Sequence, residues 1–303
     1  MASRQQVGIK DLPSMKPRLA AASITSDNFR LYQANCLEVM DHYIGHFGDA
    51  GCFDMIFADP PYFLSNGGIT CHAGKMVRVD KGDWDRSQGP EVNHEFNTAW
   101  LSRCRQLLRP NGTLWVSGTH HVIHSVGFAM QQLGMKILNT VIWQKPNPPP
   151  NLSCRYFTHS FETVLWAAKS DKSKHTFDYD KMREENGGKQ MKDVWEGVWD
   201  QGDWDQVVWN MTSRDKKLGG VEGNSLKRHP TQKPLLLLDR IIRSSTNKND
   251  LILDPFAGSG TTGVAALLLD RRFVGCELEK EYFQLAERRL KNYKKDHPQP
   301  RLL

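Results

Sequence analysis

Leu251-Ile252-Leu253-Asp254-Pro255-Phe256-Ala257-Gly258-Ser259-Gly260-Thr261 is the stretch on which the fold turns. A short apolar run, of strand length, ends on a carboxylate, passes a glycine turn and runs into Thr261 to Leu269, which has helical spacing. Strand, turn and helix in that order open a βα unit, and such units build parallel sheets. Gly258, Gly260 and Gly263 have the spacing G-x-G-x-x-G, and Glu277 closes the next apolar run, Phe273 to Cys276. A second stretch follows the same plan: Met55-Ile56-Phe57-Ala58 reads as a buried strand and Asp59-Pro60-Pro61-Tyr62 stands at its end. In open α/β sheets ligands bind outside the carboxyl ends of the strands. The chain therefore carries two chemical edges, and if the two strands are neighbours the edges form one site.

Outward from these stretches the alternation continues. Phe29 to Tyr32, Thr113 to Ser117, Ile137 to Gln144 and Phe161 to Ala167 read as strands. Cys36 to Tyr43, Glu95 to Leu108, Val122 to Leu133, Leu235 to Ser245 and Glu281 to Tyr293 have helical spacing. Arg109-Pro110-Asn111-Gly112 is a stop-and-turn signal, and Gly134 closes the helix before it. The class is α/β with a doubly wound, mostly parallel sheet. Leu64 to Gly89 reads as a long loop. Periodicity fades from Lys169 to Arg228, where Trp195, Trp199, Trp204 and Trp209 lie among Gly, Asp and Lys. Expected boundaries are a flexible tail over 1–25, one α/β half over 26–168, an inserted region over 169–228, the other half over 229–294, and a tail over 295–303.

The net charge of +6 favours a nucleic-acid partner only slightly. Its placement says more: Arg214, Lys216, Lys217, Lys227 and Arg228 cluster in the glycine-rich inserted region, where a loop can follow phosphates. The six cysteines are dispersed without a Cys-x-x-Cys pair, so neither a zinc site nor a disulfide framework is expected. His120-His121 reads as a surface pair, and no metal is expected. No apolar run approaches the roughly 20 residues of a membrane span. The polar start, Met1 to Ala21, lacks the apolar core of a secretory signal, so a cytoplasmic protein is expected.

The glycine pattern with Glu277 fits an adenosine-containing cofactor: NAD, FAD or S-adenosylmethionine. No Lys follows the glycines as a P-loop demands. Asp254, just before the turn, sits badly beside a pyrophosphate and well beside an ammonium, which selects S-adenosylmethionine. At the other edge two consecutive prolines fix φ and remove two donors, leaving the Asp59 carboxylate and the Pro60 carbonyl as acceptors. Tyr62 offers a face for stacking. This is a slot for a planar group bearing an exocyclic amine.

Together these motifs resemble the DNA amino-methyltransferase family that modifies adenine N6 or cytosine N4. Asp59-Pro60-Pro61-Tyr62 matches its D/N/S-P-P-Y/F motif, and Phe256-Ala257-Gly258-Ser259-Gly260 matches F-x-G-x-G. The catalytic motif precedes the cofactor motif, an order like that of the β class. His229-Pro230-Thr231-Gln232-Lys233-Pro234 is similar to the motif ahead of the family's glycine loop. Asp59 to Gly68, Asn151 to His159 and Gly188 to Trp195 look like the adenine-specific DpnA type. The resemblance implies a circularly permuted seven-stranded sheet in which the strands ending at Asp59 and Asp254 are adjacent, with target recognition in the inserted region. It implies catalytic roles for Asp59, Pro60, Pro61 and Tyr62. It implies cofactor contacts by Asn35, Asp59, His229, Thr231, Gln232, Lys233, Asp254, Phe256, Gly258, Ser259, Gly260, Thr261 and Glu277. DNA contacts are expected from Arg155 and the basic cluster.

The implied activity is site-specific transfer of a methyl group from S-adenosylmethionine to a flipped-out adenine, and Asp at the first motif position favours adenine over cytosine. One departure stands out: the family often has Asp where this chain has Asn35, whose amide oxygen accepts without charge. The resemblance also admits a homodimer and a partner restriction endonuclease encoded elsewhere. Competing readings are cytosine-N4 methylation, RNA methylation, a nicotinamide-dependent oxidoreductase and a non-catalytic nucleic-acid-binding module.

Overall fold

The computed structural model of the chain describes residues 7–15, 20–64, 69–72, 75–78, 86–145, 148, 150–151, 153–196, 198 and 232–296. The chain opens with β1 (Ala22–Thr25), β2 (Phe29–Gln33), α1 (Cys36–Phe47) and β3 (Phe53–Ala58). A hairpin-like pair, β4 (Ile69–His72) and β5 (Lys75–Arg78), follows, then α2 (Pro90–Leu107), β6 (Leu108–Gly118), α3 (Ile123–Gln132), β7 (Lys136–Gln144) and β8 (Phe161–Ala168). After α4 (Tyr179–Glu185) and β9 (Val194–Trp195) come α5 (Leu235–Ser245), β10 (Leu251–Asp254), α6 (Thr261–Leu268), β11 (Arg272–Glu277) and α7 (Lys280–Asp296).

Among the described residues the main sheet has nine strands in the order β1-β2-β11-β10-β3-β6-β8-β7-β9. The expected seven are its interior, and β1 and β9 extend the two edges. The spine from β2 to β6 is parallel, while β8 runs antiparallel to both β6 and β7. Side chains alternate across the strands, so Ile56 and Ala58 enter one apolar layer and Met55 and Phe57 the other. Helices α1, α2 and α3 pack on the first layer, and α5, α6 and α7 on the second. A sheet covered on both faces explains the nearly continuous apolar runs of β3 and β10.

The pairing of β10 with β3 places Ile252 opposite Met55 and Leu253 opposite Ile56. Asp254 and Asp59 therefore emerge at the same edge. That edge also receives Ser117 at the end of β6 and Glu162 at the start of the antiparallel β8, because Gly118 pairs with Thr163.

Several expectations change. Residues within the expected N-terminal tail are ordered on the body: Ile9 and Leu12 are buried, and Arg30 donates to the carbonyls of Ile9, Leu12 and Pro13. A buried arginine clasping carbonyls leaves no periodic signal. The long loop from Leu64 to Gly89 contains the antiparallel β4–β5 pair. Helix α2 starts at Pro90, which suits the first turn because its missing N–H has no helical partner there. Arg109-Pro110-Asn111-Gly112 does not separate helix from strand. It bulges out of β6, whose pairing with β3 jumps from Leu108 to Thr113. The first part of the expected inserted region belongs to the sheet: β9 pairs in parallel with β7, and Trp195 is buried against Trp115. Trp199, Trp204 and Trp209 lie outside the described residues.

Candidate active site

Strand β3 delivers Asp59 to the sheet edge, and the two prolines carry the chain directly into Tyr62. Phe63, next in line, has φ 56, a left-handed conformation that bulky residues rarely take. The Phe63 ring packs edge-on against Phe96, 6.2 Å between centroids. The Asp59 carboxylate is held on both oxygens. Ser117 Oγ donates to Oδ1 at 2.7 Å and the Tyr62 hydroxyl donates to Oδ1 at 2.6 Å, while Lys233 Nζ donates to Oδ2 at 2.8 Å. Lys233 also donates to the Tyr62 hydroxyl at 3.0 Å, and its ammonium lies 5.3 Å from the centre of the Tyr62 ring. Tyr62 is only 4% exposed. Its ring, expected to present a stacking face, is folded into the slot in this structure.

Lys233 is the surprise of the site. It was expected to touch cofactor, and although it lines that cleft its ammonium is turned onto Asp59. It also lies 3.5 Å from Glu162 Oε2, and Glu162 is paired in turn with Lys145. Burial alone lowers a lysine pKa, but Asp59 and Glu162 outweigh it and raise that of Lys233. Burial alone raises a carboxylate, but Lys233 and Lys145 outweigh it and lower Glu162. Desolvation, then the Asp59 charge, push the Tyr62 hydroxyl well above the ordinary phenol range. Ser117, Glu162 and Lys145 belong to none of the motifs in the sequence. The available signal was a carboxylate inside the apolar run of β8, since a buried charge is rarely left unpaired.

The second half-site is built by β10, the glycine turn and β11. Asp254 is 2% exposed and accepts from the Phe256 N–H at 2.9 Å. Burial pushes its pKa up to about 7. Glu277 accepts from the N–H groups of Gly258 and Glu279, both at 2.8 Å, yet burial leaves it at about 7 as well. Gly258 and Gly260 take φ 51 and φ 79, and a Cβ on Gly260 would stand 2.9 Å from the Ala286 Cβ. Gly263 has a different task. It sits inside α6, where a Cβ would come within 2.6 Å of Phe273 and Leu290, so it lets helix and strand close up.

A cleft of about 290 Å³ joins the halves, with Phe57, Asp59, Lys233, Asp254, Phe256 and Gly258 in its wall. Gln232, Ser259 and Thr261 line it too. Asn35 stands past the end of β2 as the N-cap of α1, where its amide oxygen accepts from the Leu37 N–H at 2.9 Å. The neighbouring Ala34 N–H donates to the Glu277 carbonyl at 3.1 Å, which places Asn35 on the Glu277 side of the edge. Arg155 is exposed, on the segment leading into β8. His229, Thr231, Arg214, Lys216, Lys217, Lys227 and Arg228 lie outside the described residues. His120 and His121 are exposed, and no cluster able to hold a metal occurs among the described residues.

The family model for DNA methylase matches residues 53–288, which spans both half-sites. The chain belongs to the DNA methylase family. It is 56% identical to the Type II methyltransferase M2.DpnII of Streptococcus pneumoniae over 78% of this chain and 82% of the relative. It is 49% identical to M2.MboI of Moraxella bovis over 86% of this chain and 87% of the relative. A solved complex of M1.HpyAVI with S-adenosylmethionine aligns with 27% identity and a TM-score of 0.57, covering 86% of this chain and 99% of that one. The cytosine-N4-specific PvuII DNA methyltransferase aligns at 17% identity with a TM-score of 0.62, over 90% of this chain and 93% of its own, a likeness of fold alone.

This DNA methylase is thus an enzyme that methylates DNA, with S-adenosylmethionine as methyl donor. The oxidoreductase and the non-catalytic module are set aside. The cleft agrees with that donor: the buried Asp254 carboxylate in its wall suits an ammonium, and Glu277, at the end of β11, lies behind the glycine turn, bonded to the Gly258 N–H. The lysine in its wall is already committed to Asp59. No helix of the described residues is long and apolar enough to cross a membrane.

Proposed function

We propose that the methyl acceptor is the N6 amine of an adenine flipped out of DNA. The observation that carries this reading is the Asp59 carboxylate, a charged acceptor just past the end of β3, the strand that pairs with the β10 strand ending at Asp254. A base inside a duplex is out of reach of such a slot, so the nucleotide must be extruded. Asp59 and the Pro60 carbonyl accept from the amine's two N–H groups and aim its lone pair along the transfer line. The gain is orientation and electrostatic stabilisation of the charge that develops on nitrogen. For Tyr62 to stack on the base it must turn out of its bond to Asp59. S-adenosylmethionine, when bound, supplies an electrophilic methyl on a sulfonium. Asp254 pairs with its ammonium, Glu277 accepts from its ribose hydroxyls, and the Asn35 amide oxygen, with a second lone pair free of the α1 cap, faces its adenine. Phe256, Gly258, Ser259, Gly260, Thr261 and Gln232 form the walls.

DNA lies across this edge against Arg155 and the exposed rings of Tyr156 and Phe157, the latter 96% exposed. Sequence recognition falls to the stretch after Val198, including the basic cluster. The relatives' designation as Type II methyltransferases supports a modification role beside an endonuclease encoded elsewhere, with cytoplasmic residence following from the DNA substrate. A homodimer remains part of the proposal on family resemblance alone. The deciding experiment is methylation of DNA with labelled S-adenosylmethionine followed by digestion to nucleosides. Label in N6-methyladenine is expected. Label confined to N4-methylcytosine overturns the adenine assignment, and label on RNA in preference to DNA overturns the substrate.

A further inference from the structure

The ion network behind the slot presents an electrostatic difficulty. Lys233 is 6% exposed and lies against Asp59 in the wall of the cofactor cleft. A buried ammonium there faces both a sulfonium and an amine about to become cationic. In methyl transfer the S–CH₃ bond breaks with its electrons passing to sulfur, which leaves as the neutral thioether of S-adenosylhomocysteine, the N–CH₃ bond forms, and the positive charge stays on nitrogen until one N–H proton passes to solvent. An uncompensated lysine opposes that charge at every stage.

We infer that Glu162 is the residue that cancels Lys233, letting the lysine hold Asp59 in place without presenting a net cation to the reacting atoms. Glu162 enters from β8, a strand that carries no recognised motif, and meets Lys233 at 3.5 Å. That separation is long for a hydrogen bond, so its contribution is charge. Around the lysine stand Asp59 from β3 and Glu162 from β8, with the neutral hydroxyl of Tyr62 between them. Ser117 from β6 completes the hold on Asp59, and Asp254 from β10 is the next carboxylate along the cleft. Lys145, beyond the end of β7, pairs with the other Glu162 oxygen and is about a third exposed, so solvent screens it more than Lys233. Around Lys233 the balance is then two carboxylates, Asp59 in the cleft wall and Glu162 behind it, against one lysine, with Asp254 as a further carboxylate at the glycine turn. Burial of an ionised pair is costly without good geometry, which is a reason to find it only where chemistry needs it. Glu162 touches no reacting atom, so it is a positioning residue that acts through Lys233.

This inference rests on the reading of Asp59 as the amine's acceptor, and its test separates the two. Glu162→Gln, Glu162→Asp, Lys233→Met and the Glu162→Gln/Lys233→Met double variant are titrated calorimetrically with S-adenosylmethionine and with S-adenosylhomocysteine. The two ligands differ by the methyl group and its positive charge. Glu162→Gln is expected to weaken S-adenosylmethionine on the order of tenfold relative to S-adenosylhomocysteine. Glu162→Asp keeps the wild-type ratio, and the double variant returns to it because the excess cation is gone. Single-turnover methylation at saturating cofactor falls on the order of a hundredfold in Glu162→Gln and recovers in Glu162→Asp. Adding Glu162→Gln to Lys233→Met costs no further rate. An unchanged ligand ratio in Glu162→Gln, or single-variant losses that simply add in the double variant, overturns the inference. Should Glu162→Gln unfold, the double variant decides: it is expected to keep the wild-type ligand ratio, and a ratio shifted about tenfold against S-adenosylmethionine with Lys233 already gone overturns the inference. Asp59→Ala, run alongside, isolates the underlying reading. Retained methylation there sinks the acceptor role, whereas a dead Asp59→Ala with a fully active Glu162→Gln sinks only the balancing role.

Discussion

Cofactor affinity should rise steeply as pH is raised toward neutrality, and Asp254 should be the cause. Its carboxyl is pushed from an ordinary value of 3.8 to about 7, chiefly by burial. The ionised form is therefore disfavoured in the free protein by about 4 kcal/mol, at 1.36 kcal/mol for each tenfold change in acidity. The sign follows from linkage. The folded protein keeps this proton up to about pH 7 while the unfolded chain releases it near 3.8, so Asp254 favours the fold at low pH and that contribution is lost as pH climbs from about 4 to 7. Binding runs the other way, because an ammonium pairs only with the ionised carboxylate. With a pKa of about 7, the ionised fraction grows from about 3% at pH 5.5 to about half at pH 7.0, so Kd should fall about fifteenfold over that range and level off above it. The ligand's own ammonium stays protonated there. Calorimetric titration in buffers of matched ionic strength measures the change directly. Asp254→Asn should bind more weakly at neutral pH and should lose this part of the slope, leaving what Glu277, also raised to about 7, contributes. A flat Kd in the wild type, or an undiminished slope in Asp254→Asn, refutes the reasoning.

Three further outcomes are expected. Asp59→Ala should reduce methyl transfer by a factor on the order of a thousand while leaving S-adenosylhomocysteine affinity within about threefold, since the carboxylate is proposed to orient the acceptor; S-adenosylmethionine, whose sulfonium then faces a less compensated Lys233, should weaken on the order of tenfold, and a rate loss matched by an equal loss of S-adenosylhomocysteine affinity counts against that division. Gly260→Ala should lower the melting temperature by several degrees, because φ 79 resists a side chain and the added Cβ meets Ala286 at 2.9 Å; an unshifted transition in differential scanning calorimetry refutes it. Phe157→Ala should leave the melting temperature alone, its side chain being 96% exposed, and should raise the DNA KM severalfold in initial-rate assays; an unchanged KM removes Phe157 from the DNA face.

Legibility of the chain tracked the range of the physics. Strand β10, the glycine turn and α6 were readable because their signals are local: a short apolar run, a carboxylate and glycines at fixed offsets. So was β3 with its prolines. The adjacency of the two strands was an implication of the family resemblance, and it is borne out by the pairing of Leu253 with Ile56. The edges of the sheet were not readable. Strand β1 is a half-exposed edge of four residues and β9 has only two, too short for a periodic pattern. The clasp of Arg30 on Ile9, Leu12 and Pro13 joins residues whose link is three backbone carbonyls, and carbonyls are the same in every sequence.

The same limit governs the slot. Lys233 meets Asp59 across a separation of 174 residues, and only sheet order brings them together. What the sequence did hold was a conflict: Glu162 sits in a run, Phe161 to Ala168, whose other members are mostly apolar. A carboxylate placed there costs stability unless a cation answers it, so its presence points to a paired cation before any coordinates exist. The cation proves to be two lysines, one partly wet and one buried on the acceptor carboxylate. Local rules therefore recover the two halves of the site from their motifs. The electrostatics that joins them is visible only as a residue out of place in its strand, and such residues identify where motif reading should look next.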